Sequence, residues 1–130
     1  MTPEEQQERV RSSFAKQGLM TTLGATLGSV SPGMVEIVLR PHPAISQQHG
    51  FVHGGAVSAI ADSAAGYAAL TLMPADTGVL TTEFKINLMA PVREGSLEAN
   101  AEIIALSKRT AVVRVEARGL ACHSSDPSRG

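Results

Sequence analysis

Apolar residues recur along this chain in helical spacing, then in alternation, then in an unbroken run, and each rhythm predicts an element. Val10 and Phe14 stand four apart behind Thr2-Pro3-Glu4-Glu5, a capping-box arrangement with proline at the first helical position. A short N-terminal helix is expected, with Gly18 ending it. Leu23 to Val30 is rich in Thr, Gly and small apolar residues, Ser31-Pro32-Gly33 reads as a turn, and Met34 to Arg40 alternates with Val35, Ile37 and Leu39 on one face. That pattern predicts a β-hairpin. Pro41-His42-Pro43 stops the strand, and the run to His53 has no period, so it reads as a loop.

From Ala56 to Met73 the residues are mostly Ala, Val, Ile, Leu, Gly and Met, with Ser58, Asp62, Ser63, Tyr67 and Thr71 the only polar groups. A helix of this kind is expected to be buried nearly all round. Its small side chains would let a sheet approach closely. After the turn at Pro74-Ala75-Asp76-Thr77-Gly78, a strand is predicted in which Leu80, Phe84, Ile86 and Leu88 alternate with Thr81, Glu83, Lys85 and Asn87, ending at Pro91. Leu97 to Leu106 is a further strand whose Ile103-Ile104 doublet suggests a bulge. Ser107-Lys108-Arg109 turns it into Thr110 to Ala117, with Ala111, Val113, Val115 and Ala117 on one side. The expected architecture is α+β, an antiparallel sheet wrapped around one long central helix. The chain divides into an N-terminal helical segment (1–19), the domain itself (20–124) and a polar tail (125–130) expected to be disordered.

With 130 residues the chain fits one domain. A net charge of −1 with dispersed basic residues argues against nucleic acid as partner. Cys122 is the only cysteine, which excludes an internal disulfide and a cysteine-based zinc site within one chain. The polar, acidic start carries no secretion pattern, so the cytoplasm is the expected compartment. The apolar run from Gly54 to Met73 is about as long as a membrane span, but it is built on Ala and Gly and carries Asp62 near its middle, so a buried core helix is expected instead. His42, His49, His53 and His123 form no compact ligand set with carboxylates, and no metal is expected.

Candidate chemistry centres on His53-Gly54-Gly55 and Asp62. A carboxylate inside an apolar helix must be paired, hydrogen-bonded or neutralised, because an ionised and unsatisfied one costs several kcal/mol. Asp62 is therefore a structural hydrogen-bonding group or a working one. Glycines at the loop-to-helix junction either permit a tight turn or let a ligand reach backbone N–H groups that lack an intrahelical partner. Such donors would polarise a thioester or ester carbonyl. Asp62 follows Gly54 by eight residues, about 12 Å along a helix, too far for both to act on one carbonyl within one chain. A twofold dimer with the long helices antiparallel would bring Asp62 of one subunit to Gly54 of the other.

The Gly50-x-x-His53-Gly54-Gly55 motif with Asp62 seven residues later, the Ala-rich helix and the strand Thr81-Thr82-Glu83-Phe84-Lys85-Ile86-Asn87-Leu88-Met89-Ala90-Pro91 together resemble hotdog-fold acyl-CoA thioesterases of the phenylacetate-pathway type, over roughly residues 20 to 118. The resemblance implies a hotdog domain, dimers paired into tetramers, and hydrolysis of an acyl-CoA thioester without metal or organic cofactor; the small residues Ala56, Ala59, Ala65 and Gly66 leave room in the helix for an aryl or medium-chain acyl group. It implies Asp62 as general base or nucleophile, Gly54 as the N–H that polarises the carbonyl, and Thr81 as the hydroxyl that helps place the attacking water from the partner subunit. Gln47 falls where much of the subfamily carries Asn; either amide can hydrogen-bond the carbonyl or a water. His53 is read as positioning the loop, with direct chemistry as the alternative, and Gly55 as part of the substrate-binding turn. By strand parity Thr81 is alternatively a surface hydroxyl. Tyr67 is read as packing in the core or substrate channel. Lys108 and Arg109 would meet the coenzyme A phosphates or form a solvated hairpin tip. Relatives usually finish with a long apolar strand inside the sheet, whereas Leu120 to Ser124 is short and poorly patterned, so a stunted or absent last strand is expected. A non-catalytic acyl-CoA-binding module and a hydratase or dehydratase on the same fold are the alternative functions.

Overall fold

A computed structural model describes residues 1–87, 90–93 and 95–120. Helix α1 (Pro3–Ala15) starts as its sequence predicts: Thr2 Oγ1 accepts from the Glu5 N–H, and the Glu5 carboxylate accepts from the Thr2 N–H, closing the capping box. Val10 is fully buried, and the Phe14 ring packs on Tyr67 with centroids 6.2 Å apart. Gly18 does not end this helix. The chain breaks at Lys16-Gln17, and Gly18 opens a second short helix, α2 (Gly18–Leu23), stopped by Gly24 in the left-handed region at φ 76°. The first strand consequently begins later than expected, as β1 (Thr26–Ser31), and pairs antiparallel with β2 (Met34–Leu39). Pro32 and Gly33 are the central residues of the turn; only glycine accepts the φ of 76° at its second position without strain.

The loop after β2 contains one 3-10 turn at Pro43–Ile45 and then gives way to helix α3 (Gly54–Leu70). The chain returns as β3 (Ser96–Leu106) and β4 (Ala111–Leu120), and all four strands form one antiparallel sheet in the order β1-β2-β3-β4. The ladder between β3 and β4 shifts register between Ile103 and Ala105, a bulge at the apolar doublet. Val35, Ile37 and Leu39 of β2 and Leu97, Ala99 and Ala101 of β3 point to one face, and α3 lies on it through Ile60, Ala64 and Ala68. Side chains such as Ile37, Leu39, Ile60 and Leu97 are essentially inaccessible, each contributing about 2 kcal/mol of burial. The α+β hotdog architecture is thus present, with the alanines of α3 allowing the sheet to press close.

Two expectations fail. First, α3 is not buried all round: Ala56, Ile60, Ala61, Ala64 and Tyr67 to Leu70 are buried, whereas Val57, Ser58, Asp62, Ser63, Ala65 and Gly66 are only half-buried. One face of the helix rests on the sheet and the other opens to solvent. Second, residues 79–87 form no strand; they join no ladder among the described residues, and Leu80 is 86% exposed. The alternation there is real, but a strand exists only where a second row of N–H and C=O groups faces it. Among the described residues nothing pairs with the outer edge of β4. Leu88 and Met89 within that expected strand, the stretch beyond Leu120 where a stunted or absent last strand is expected, and the polar tail lie outside the described residues.

Candidate functional site

The loop from Gln47 to His53 is closed by its own hydrogen bonds. The Gln47 N–H donates to the Phe51 carbonyl at 2.8 Å and the Gly50 N–H to the Gln47 carbonyl at 3.0 Å, with Gly50 at φ 84°. Gln47 Oε1 accepts from the His49 N–H at 2.6 Å and the Phe51 N–H at 3.2 Å. The amide oxygen is thereby committed to the loop, and its NH₂ is the group left to meet a ligand. A bridge between Ser46 and Val52 and the His53 N–H on the Ile45 carbonyl (2.8 Å) deliver the chain into α3.

At the start of α3, His53 is the N-cap: its Nδ1 accepts from the Gly55 N–H at 2.7 Å. The N–H groups of Ala56 and Val57 turn back to the His53 carbonyl at 2.9 and 3.3 Å. Among the described residues no acceptor meets the Gly54 N–H. Of the first donors of this helix, the Gly54 N–H alone is left to donate to a ligand, at the end where the helix dipole favours negative charge. His53 therefore occupies the neighbouring donor, a positioning role for the turn.

Farther along α3, half-buried Asp62 is hydrogen-bonded, as a carboxylate in this helix must be: Thr81 Oγ1 donates to Asp62 Oδ1 at 2.7 Å. Thr81 is exposed, yet it is no idle surface hydroxyl, and one chain by itself joins the two side chains. Tyr67 is a packing residue; its hydroxyl receives Gln17 Nε2 at 2.7 Å and lies 3.1 Å from Ser13 Oγ.

Gln47, Gly54, Asp62, Thr81 and Arg109 all line a cleft of about 1480 Å³ between the open face of α3, the 78–93 segment and β4. His53 and Gly55 do not; they line a separate cavity of about 270 Å³ with Leu19, Leu23, Ile45 and Ala59. Lys108 sits exposed at the hairpin tip and lines neither. Arg93 was not singled out by its sequence context, since no periodicity marks it. Its guanidinium stacks 4.5 Å from the Phe51 ring centroid and donates to the His49 carbonyl at 3.2 Å, tying the far end of the 78–93 segment to the Gln47 loop. Among the described residues no three His, Cys, Asp or Glu side chains group as metal ligands, and no helix is long and apolar enough to cross a membrane.

Residues 49–120 match the family model of the thioesterase superfamily. A 1,4-dihydroxy-2-naphthoyl-CoA hydrolase of Listeria monocytogenes is 30% identical over 99 residues, which span 76% of this chain and 80% of that protein. A thioesterase family protein from Silicibacter pomeroyi is 40% identical and superposes with a TM-score of 0.87 over 89% of this chain and 85% of that one. A mutant of the phenylacetic acid degradation protein PaaI from Thermus thermophilus is 31% identical, with a TM-score of 0.71 over 78% and 86% of the two chains. With the family model matched over more than half of its length and relatives of 30–40% identity across most of both chains, the chain belongs to the thioesterase superfamily as a PaaI-like hotdog thioester hydrolase.

Proposed function

We propose that the protein hydrolyses aryl- or medium-chain acyl-CoA thioesters to the free acid and coenzyme A, with Asp62 as the base or nucleophile and the Gly54 N–H as the oxyanion donor. One observation carries the proposal: the carboxylate of the apolar helix, Asp62, is held by the Thr81 hydroxyl on the wall of an open cleft, while the Gly54 N–H at the start of the same helix meets no acceptor among the described residues. Asp62 takes a proton from a water held by Thr81 as the water oxygen bonds to the thioester carbon. The carbonyl oxygen becomes an oxyanion that accepts from the Gly54 N–H. Collapse of the tetrahedral intermediate breaks the C–S bond, and the departing thiolate recovers the proton. Direct attack by the carboxylate, giving an anhydride that water then opens, uses the same groups.

Because Gly54 and Asp62 are about 12 Å apart along α3, the working pair is Gly54 of one subunit and Asp62 of another, in a twofold dimer or a tetramer built from it. Ala61, Ala65 and Gly66 leave room along the cleft wall for the acyl group. An aryl acyl group is favoured by the naphthoyl-CoA hydrolase among the relatives. Arg109 and Arg93 at the cleft would meet the phosphates of coenzyme A, while Lys108 and Gly55 would not.

Thiol release from a panel of aryl and medium-chain acyl-CoAs, wild type beside Asp62→Asn, tests this. A loss of about 10²-fold or more in a variant of unchanged oligomeric state is expected. Equal activity of the two proteins, or binding without thiol release by the wild type, would overturn the assignment.

A further inference from the structure

Thr81 sits on a segment with little of its own to hold it. Among the described residues, the Thr81–Asp62 bond is the only hydrogen bond made by residues 78–87, and no ladder includes them. The position of the hydroxyl is therefore decided where the segment is anchored. At its near end that anchor is Arg9, half-buried on α1. Its Nη1 donates to the Leu70 carbonyl at 3.4 Å and the Met73 carbonyl at 3.2 Å, and its Nη2 donates to the Thr77 carbonyl. The Leu70 carbonyl is the last of α3 and the Met73 carbonyl lies three residues beyond it, at the end of the helix where acceptors lack intrahelical partners and a cation is favoured. Gln6 Nε2 also reaches the Met73 carbonyl, at 3.5 Å. Thr77 is four residues ahead of Thr81.

We infer that Arg9 is a positioning residue for the Asp62–Thr81 pair. One planar guanidinium joins the end of the helix that carries Asp62 to the start of the segment that carries Thr81. It does so from α1, outside the region matched by the family model. A lysine presents a single point of charge and cannot span the same three carbonyls in one plane. The inference rests on the proposed role of Asp62 and Thr81.

The test is a double-mutant cycle in full-length protein: Arg9→Met, Thr81→Val and both together, with Arg9→Lys as the conservative variant. Arg9→Met is expected to lower kcat about tenfold, the worth of one hydrogen bond to a charged group, with KM within twofold. Added to Thr81→Val it should cost less than twofold more, and Arg9→Lys should recover part of the loss. A merely structural role predicts losses that multiply, and that result would overturn the inference. The Asp62 carboxyl ¹³C resonance, assigned through Asp62→Asn, gives a readout independent of turnover. It should move in Arg9→Met in the same direction as in Thr81→Val, and a resonance left at its wild-type position refutes the role of Arg9. A wild type that releases no thiol refutes the proposed function, while the resonance still decides the role of Arg9. Should Arg9→Met fail to fold, the same cycle run with Arg9→Lys decides between coupling and additivity.

Discussion

Replacing Gly55 by alanine should change sign with the identity of residue 53. A Cβ built at Gly55 lies 2.9 Å from His53 Nδ1 and 3.2 Å from Cε1, so the imidazole must leave its cap. The cap hydrogen bond of 2.7 Å is lost with it, at about 1 kcal/mol. Alanine also gains up to about 1 kcal/mol over glycine within a helix, somewhat less in its first turn. In the wild-type background the two effects oppose, and the net change should be near zero or slightly destabilising. In a His53→Ala background there is no ring to displace, and Gly55→Ala should stabilise by roughly 0.5–1 kcal/mol. The coupling between the two sites is then about 1 kcal/mol, above the roughly 0.3–0.5 kcal/mol within which independent sites add. Urea unfolding of the four proteins, at one protein concentration and with the m-values compared, measures it. If Gly55→Ala stabilises both backgrounds equally, His53 does not cap α3, and the reason for the Gly54 N–H being the free donor falls with it.

Thr71→Val removes a buried hydroxyl that accepts from the Gly33 N–H at 2.8 Å and donates to the Ala68 carbonyl at 2.7 Å. The orphaned N–H in the β1–β2 turn should cost about 2 kcal/mol, roughly a 7 °C fall in Tm by calorimetry, and a fall of under about 2 °C would contradict it. Thr81→Val removes the only partner that the Asp62 carboxylate has among the described residues and should reduce kcat/KM about tenfold while leaving the urea midpoint unchanged; a change below threefold would make Thr81 dispensable.

Local chemistry was legible and reach was not. Thr2, Pro3 and Glu5 build the predicted cap, Pro32-Gly33 the predicted turn, and Ile103-Ile104 the predicted bulge, because each device is written within a few adjacent residues. Gly18 misled because glycine closes helices more often than it opens them. The run from Leu80 to Asn87 misled because alternation specifies a strand's faces and not its partner. His53-Gly54-Gly55 and Asp62 stood out by composition, but the bond from Thr81 to Asp62 spans nineteen residues, and those from Arg9 span more than sixty. Long side chains that end on carbonyls leave no period in a sequence. Gln47 was found for its NH₂ or its oxygen indifferently; only the fold shows that the oxygen is committed to the loop.

Leu39 and Leu97 face each other across the ladder between β2 and β3, and every site group named on the loop, α3 and the 78–87 segment is threaded between those two positions. In polymer terms the walls of the cleft made by the loop, α3 and the 78–87 segment lie within one large ring that this pairing closes, and β4 is added from outside it. The closure entropy grows only slowly with the size of the ring, by about 0.6 kcal/mol for each doubling, but it must be met before the ladder and α3 can compensate it. Pairing of β2 with β3 therefore brings these walls of the pocket together in one step of ring closure. A ligand held in the cleft would act as a clasp on that ring, lengthening the lifetime of the native state through the unfolding rate.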